Sequence, residues 1–300
     1  MRVLVVGRIG QVGTELALKL PAAGHEILSL EPPELDLLKP ETVRAAFDAF
    51  RPEIVVNAAA YTAVDKAEDD SALAYAINRD GTALLGSESA RLGVAMIHFS
   101  TDYVFAGDKP SPYVETDLTG PVGVYGASKL AGDEALLAAN PRSVVLRTAW
   151  VCSAHGGNFV KTMLRLGRDR PELGVVADQH GAPTFADDLA DAVVALIPRL
   201  AAAPAGDPGF GTFHLTGAPY TTWHGFAAVI FAGAAARGEK TPALKSITTA
   251  DYPTKAQRPA NSRLDCARIT QVHGIMPADW RVSLDRCLTT LTGKQRNAAP

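Results

Sequence analysis

The chain has little of three things that usually betray a location or a large partner. Only three cysteines occur in 300 residues, Cys152, Cys266 and Cys287. They are odd in number, scattered, and without CxxC or Cys/His ligand spacing, so they supply no disulfide framework or zinc site and fit a reducing compartment. No apolar run approaches the roughly twenty residues that a membrane-spanning helix needs, and even the Ala-rich stretch from Phe226 to Ala236 is short. The opening "MRVLVVGRIGQVG" has one positive residue and a brief apolar run that ends in glycine, too short for the core of a secretory signal. There is no block of Lys or Arg, and the net charge is -3, so neither nucleic acid nor a membrane surface finds an electrostatic footprint. These absences lead to the expectation of a cytoplasmic protein that works on small molecules.

What is present is material for a large core, with 47% hydrophobic and 20% charged residues. Short apolar runs alternate with longer helical patterns: "RVLVVG", a helix near Val12 to Ala22, "HEILSL", a helix near Pro40 to Phe50, and "EIVVNAA". A helix near Asp69 to Leu92, "AMIHFST", a helix after Tyr125 and "SVVLRTAWV" follow. Strands that are apolar throughout belong to a sheet covered on both faces, so the expected fold is α/β, a doubly wound, mostly parallel sheet. The alternation loosens after about residue 150. "LGVVADQHGAPT" and "GTFHLTG" read as two further short strands, separated by a helix near Asp187 to Leu200 and a Pro/Gly/Ala loop. We expect residues 1–150 to form a dinucleotide-binding domain. Residues 151–300 should form mainly a smaller, interrupted substrate lobe over the carboxyl edge of the sheet, with some segments returning to that sheet.

Three clusters fall at strand ends, where such sheets bind ligands. Gly7, Gly10 and Gly13 stand between the first strand and its helix. Glycines there permit a tight turn and close approach of backbone N–H groups to a pyrophosphate, with the helix N-terminus adding partial positive charge. Asp36 lies some twenty-odd residues beyond and suits a contact to the nucleoside end, with Glu31 and Glu34 as rivals. Arg8 offers instead to attract a 2'-phosphate, so NADH and NADPH both stay open. "NAAAYTAVDKAE" has the small side chains that let a flat cofactor lie on backbone, and equally those of tight core packing. "STDYVF" places two hydroxyls and a carboxylate at the end of a buried strand, where they need partners.

Tyr125 and Lys129 stand four apart in "VYGASKLAGDE", on one face of a helix. A ketone accepting hydride needs a proton donor; a Tyr near pKa 10 gives its proton reluctantly, and a neighbouring ammonium stabilises the phenolate left behind.

These segments resemble the extended short-chain dehydrogenase/reductase superfamily and, within it, the dTDP-4-dehydrorhamnose reductases. "GRIGQVG", "NAAAYTAVDKAE", "STDYVFAG", "YGASKLAGDE", "RTAWV", "DQHGAPT" and "RPANSRL" carry the resemblance over nearly the whole chain. It implies a Rossmann-like fold and transfer of hydride from NADPH or NADH to C4 of a dTDP-4-dehydro sugar, yielding dTDP-L-rhamnose for cell-surface glycans. Residue by residue, it implies that Gly10, Gln11 and Val12 touch the cofactor phosphates and that Asp36 and Leu37 touch the adenine end. Ala60, Tyr61 and Thr62 would line the cofactor's path. Thr101, Tyr125 and Lys129 match the catalytic triad, Asp102, Tyr103 and Trp150 the sugar side, and Arg258 a partner for the substrate diphosphate. Some relatives dimerise around magnesium, so a homodimer stays open. Glu15 and Asp187 are at plausible positions, but Arg281 stands where a third carboxylate is wanted, and no metal is assigned. His98 and His180 read as local hydrogen-bonders. An epimerase or dehydratase and a regulatory subunit like that of some methionine adenosyltransferases are the rival readings; Tyr103 after Asp102, where a dehydratase wants Glu, lowers the dehydratase option.

Overall fold

The computed structural model describes residues 1–293. The first half runs β1 (Arg2–Val6), α1 (Gln11–Ala22), β2 (Glu26–Leu30), α2 (Pro40–Phe50) and β3 (Ile54–Asn57). It continues through α3 (Val64–Ala67), α4 (Ser71–Tyr75), α5 (Thr82–Arg91), β4 (Ala95–Thr101), α6 (Val124–Ala139) and β5 (Ser143–Thr148). The second half holds β6 (Val151–Cys152), α7 (Phe159–Asp169), β7 (Glu172–Val176), β8 (His180–Gly181), β9 (Thr184–Phe185) and α8 (Ala186–Ala202). It closes with β10 (Gly211–His214), β11 (Thr221–Thr222), α9 (Trp223–Ala235), β12 (Ala243–Ile247), α10 (Ala267–His273) and α11 (Trp280–Thr292).

Six parallel strands form the central sheet in the order β10-β5-β4-β3-β1-β2. The period of two along β1 explains its double covering. Val3 and Val5 join Leu16 and Leu20 of α1 and the apolar face of α8 on one side. Leu4 and Val6 join Phe47 of α2, Leu85 of α5 and Leu136 of α6 on the other. A third apolar cluster unites α7, β7, α9 and α11, all from the chain after residue 150.

Because β1 is flanked by β2 on one side and β3 on the other, the chain reverses direction across the sheet there, and a crevice opens at their carboxyl ends. Gly7 sits in that crevice with φ +99°, and a Cβ on it would lie 2.7 Å from the Ala59 nitrogen. A Cβ on Gly13 would lie 1.8 Å from the Gly7 carbonyl oxygen. Gly13→Ala must therefore push the loop off α1. We expect a stability loss of about 1–3 kcal/mol and weakened dinucleotide binding, checked by thermal unfolding and by quenching of cofactor fluorescence.

One element differs from the sequence expectation. The continuous helix near Asp69 to Leu92 is broken by a π-helical stretch, Ala76–Gly81. Its buried Asn78 accepts the Tyr61 N–H at 2.8 Å and donates to the Tyr61 carbonyl and to Ser128. The bulge thus turns an amide toward the loop after β3, the kind of local irregularity that marks functional sites. In "GTFHLTG", β10 pairs with β5 at the edge of the main sheet, with Phe213 fully buried. In "LGVVADQHGAPT", β7 pairs in parallel with β12, apart from that sheet.

Candidate active site

A cleft of about 720 Å³ opens over the switch point. Gly7, Gly10, Gln11 and Val12 form one wall, and α1 begins there at Gly10 with no side chain capping its first turn. Orphan N–H groups at the start of a 12-residue helix, beside a loop whose backbone approach a Cβ would block, fit a dinucleotide pyrophosphate. Gln11 is already engaged through its side chain, donating to the Val151 carbonyl at 3.2 Å and accepting from Asn158 at 2.9 Å. The turn that includes Gly156 and Gly157 is thereby held over the phosphate end of the cleft.

The other wall comes from β4 and α6. Thr101 ends β4, donates to Asp102 Oδ1 at 3.1 Å and accepts the Tyr103 N–H at 3.2 Å. Burial pushes the Asp102 carboxyl up to about 6, against hydrogen bonds from Ser262 and Thr101. Its Oδ2 is itself buried and has no hydrogen-bond partner among the described residues, and Asp102 lines the cleft, so the carboxylate keeps spare accepting capacity at the cleft wall. Tyr125 opens α6, whose Val124 N–H donates to Glu68 at 2.9 Å. Its ring meets Tyr103 edge-on at 5.5 Å. Burial raises the Tyr125 hydroxyl to about 12, while a hydrogen bond with Thr101 works in the opposite direction. Tyr125 therefore holds its proton until charge develops beside it.

Lys129 does not reach for the Tyr125 hydroxyl. Its Nζ donates to the Phe99 carbonyl at 2.7 Å and lies 3.0 Å from His98 Nε2. Burial pulls the amine down to about 8, with the carboxylate of Asp133 working in the other direction. Lys129 nonetheless lines the cleft floor, so its charge sits beneath the reacting position.

Trp150 has φ +51°, a strained setting for a bulky residue that costs about 1–3 kcal/mol. Its ring stacks on Trp223 at 3.6 Å, and this contact with α9 supports the turn that points it into the cleft.

Of the residues singled out from sequence, Gly7, Gly10, Gln11, Val12, Ala60, Thr62, Thr101, Asp102, Tyr103, Tyr125, Lys129 and Trp150 meet in this cleft. Gly13 lies behind it as packing. Tyr61 turns its hydroxyl to Asp70 at 3.0 Å. Asp36 accepts the Leu38 N–H at 3.0 Å, and Leu37 packs beside Gly81. It is Glu31, directly after β2, that lines the cleft; it accepts the Ile9 N–H at 3.2 Å and pairs with Arg8 at 3.3 Å. Arg258 pairs with Asp65 at 2.6 Å and its charge acts on Tyr103, so it stands near the cleft without lining it. Glu15 pairs with His155 at 3.4 Å and Asp187 with Arg286 at 2.8 Å. No group of three potential ligands is arranged for a metal among the described residues. The residues that sequence reasoning passed over are Asn78, Glu68 and the Gly156-Gly157 pair, while His98 read only as a local hydrogen-bonder. Only the paired glycines carried a local signal.

Residues 1–292 match the family model described as RmlD substrate binding domain. A dTDP-4-dehydrorhamnose reductase of Sinorhizobium fredii is 45% identical over 299 residues, 99% of this chain and 100% of that protein. A crystal structure of a dTDP-4-dehydrorhamnose reductase from Clostridium acetobutylicum has a TM-score of 0.90 at 34% identity, covering 97% of this chain and 99% of that one. Another from Bacillus anthracis, in complex with NADP, has a TM-score of 0.88 at 33% identity, covering 96% and 98%. With residues 1–292 matched by the family model, relatives alike in sequence over nearly the whole chain and a fold shared with solved structures, the chain belongs to the family of the RmlD substrate binding domain.

Proposed function

We propose that the chain reduces the C4 ketone of dTDP-4-dehydro-L-rhamnose with NADPH or NADH, giving dTDP-L-rhamnose. The observation that carries this reading is the juxtaposition of Thr101, Tyr125 and Lys129 in one cleft with an uncapped, glycine-lined helix start, in a chain 45% identical to a reductase of that name. Residues 1–150 would hold the dinucleotide and residues 151–300 mainly the sugar nucleotide. No helix among the described residues is long and apolar enough to cross a membrane, in keeping with work in the cytoplasm.

A bound reduced nicotinamide supplies the hydride. The chain's own residues do the rest. Backbone N–H groups at Gly10, Gln11 and Val12 hold the diphosphate, and Glu31 with Arg8 meets the adenosine ribose. Ala60 and Thr62 leave the floor flat. Thr101 and Tyr125 converge where the carbonyl oxygen must sit, Thr101 turning its single O–H from Asp102 to polarise it and Tyr125 giving it a proton as charge develops. The Lys129 ammonium below stabilises the resulting phenolate. The Asp102 carboxylate accepts a sugar hydroxyl, Trp150 covers the sugar's apolar face, and Arg258 meets the diphosphate by a bidentate contact.

Mixing the protein with NADPH or NADH and the 4-dehydro sugar nucleotide should oxidise the cofactor in a 1:1 ratio to sugar. Sugar turnover without net cofactor oxidation would assign an epimerase instead.

A further inference from the structure

Behind Lys129 lies a buried polar chain that the proposed chemistry leaves unused. Asn57 at the end of β3 is 1% exposed, His98 of β4 is 0% exposed and Lys129 is 1% exposed. We infer that Asn57 and His98 are positioning residues that set the proton affinity of Lys129, because the hydrogen-bond direction fixed at the Ala59 N–H runs through them into Nζ and favours the neutral amine.

The direction follows from what each atom can do. A backbone N–H only donates, so the Asn57 atom 3.0 Å from the Ala59 nitrogen must be the carbonyl oxygen, Oδ1. The amide nitrogen Nδ2 then faces His98 Nδ1 at 3.0 Å. An NH₂ group also only donates, so Nδ1 is the bare, accepting nitrogen and the ring proton sits on Nε2. That Nε2–H points at Lys129 Nζ, 3.0 Å away. A neutral amine accepts it through its lone pair and still donates to the Phe99 carbonyl at 2.7 Å. An ammonium has no lone pair, so donor meets donor. Lys129 must then give up His98, or the ring proton must move to Nδ1 against Asn57. Either way a fully buried hydrogen bond is lost, which such sites tolerate poorly.

The charged groups around Lys129 do not undo this wiring. Asp133, one turn further along α6, raises its proton affinity, but that carboxylate is shared with Arg147 of β5 at 3.4 Å and with Ser100 at 2.8 Å. Its Oδ1 is 3.8 Å from His98 Nε2, beyond hydrogen-bond range. Tyr125, one turn earlier, keeps its proton, and Asp102 acts on Tyr125 from beyond β4. An imidazolium at His98 is disfavoured by burial and by Lys129 itself. The downward displacement of Lys129 is in the same sense as the wiring.

The catalytic consequence rests on the reductase reading; the tautomer does not. Nitrogen-15 NMR of histidine-labelled protein at about pH 9 to 10, where the amine of Lys129 is neutral, with His98 assigned by loss of its signal in His98→Gln, should show Nδ1 bare and Nε2 protonated. A proton on Nδ1, alone or together with one on Nε2, overturns the inference, and this measurement needs no variant to be active. In Asn57→Asp the side chain still accepts the Ala59 N–H but offers Nδ1 an acceptor. The spectrum should then show the proton on Nδ1, and the alkaline limb of kcat/KM should rise by about one pH unit, a tenfold gain in proton affinity. An inverted tautomer with an unmoved limb removes the coupling, and a raised limb without inversion reduces it to the added charge; either result overturns the proposal. If the sugar is never reduced while the tautomer is as stated, the functional reading fails and the wiring stands.

Discussion

Tyr125→Phe should lower kcat by roughly 10²–10⁴-fold, the usual contribution of a positioned general acid, and leave dinucleotide binding and unfolding temperature close to those of the parent. The ring stays, so its edge-on contact with Tyr103 at 5.5 Å and the packing of α6 are kept. What goes is the hydroxyl that shares a hydrogen bond with Thr101. Because that group acts only as oxygen charge develops, the loss should fall on kcat and kcat/KM alike, with little change in KM. Steady-state kinetics with each cofactor checks this; retention of more than a tenth of the parent kcat, outside that range, would assign the proton to another donor.

Lys129→Met carries the second large effect. We expect a loss of roughly 10²–10³-fold, as for removal of one preorganised electrostatic stabiliser. The buried Phe99 carbonyl and His98 also lose their partner, so stability should drop by about 1–3 kcal/mol. In the unmutated protein the same residue predicts a pH dependence. The ammonium supports the phenolate, and its proton affinity is lowered to about 8. The supporting form is thus present below that pH and is lost as pH rises through it. Asp102, raised to about 6, is protonated below that pH, where the oxygen offered to the sugar is no longer a pure acceptor. The profile of kcat/KM should therefore be a bell between these limbs, and a flat profile up to pH 10 would remove Lys129 from the step.

The parts legible in the sequence are those set by local periodicity. α2 spans Pro40–Phe50, as its pattern predicts, and α1 begins one residue before the expected start. The glycine loop and the Tyr125 helix were readable because turn geometry and helix start leave residue-type signatures. What escaped depends on distant partners. The π-helical stretch in the 69–92 helix exists to satisfy Tyr61 through Asn78, which no short window contains. That β5 is the strand with which β10 pairs is likewise outside any short window, although a return of later segments to the sheet is expected from the sequence. Glu31 lines the cleft and Asp36 does not, a matter of the backbone path after β2 that spacing does not encode. His98 read as a local hydrogen-bonder, and it is one; that its partner is Lys129 is a fact of strand and helix adjacency.

The most direct measurement for the central claim uses a reduced cofactor carrying deuterium at both C4 positions of the nicotinamide, with dTDP-4-dehydro-L-rhamnose as acceptor. The account predicts dTDP-L-rhamnose with one deuterium at sugar C4 per cofactor oxidised, and slow or absent transfer in Tyr125→Phe. Product free of label, or unchanged sugar with intact cofactor and a folded protein, would contradict it.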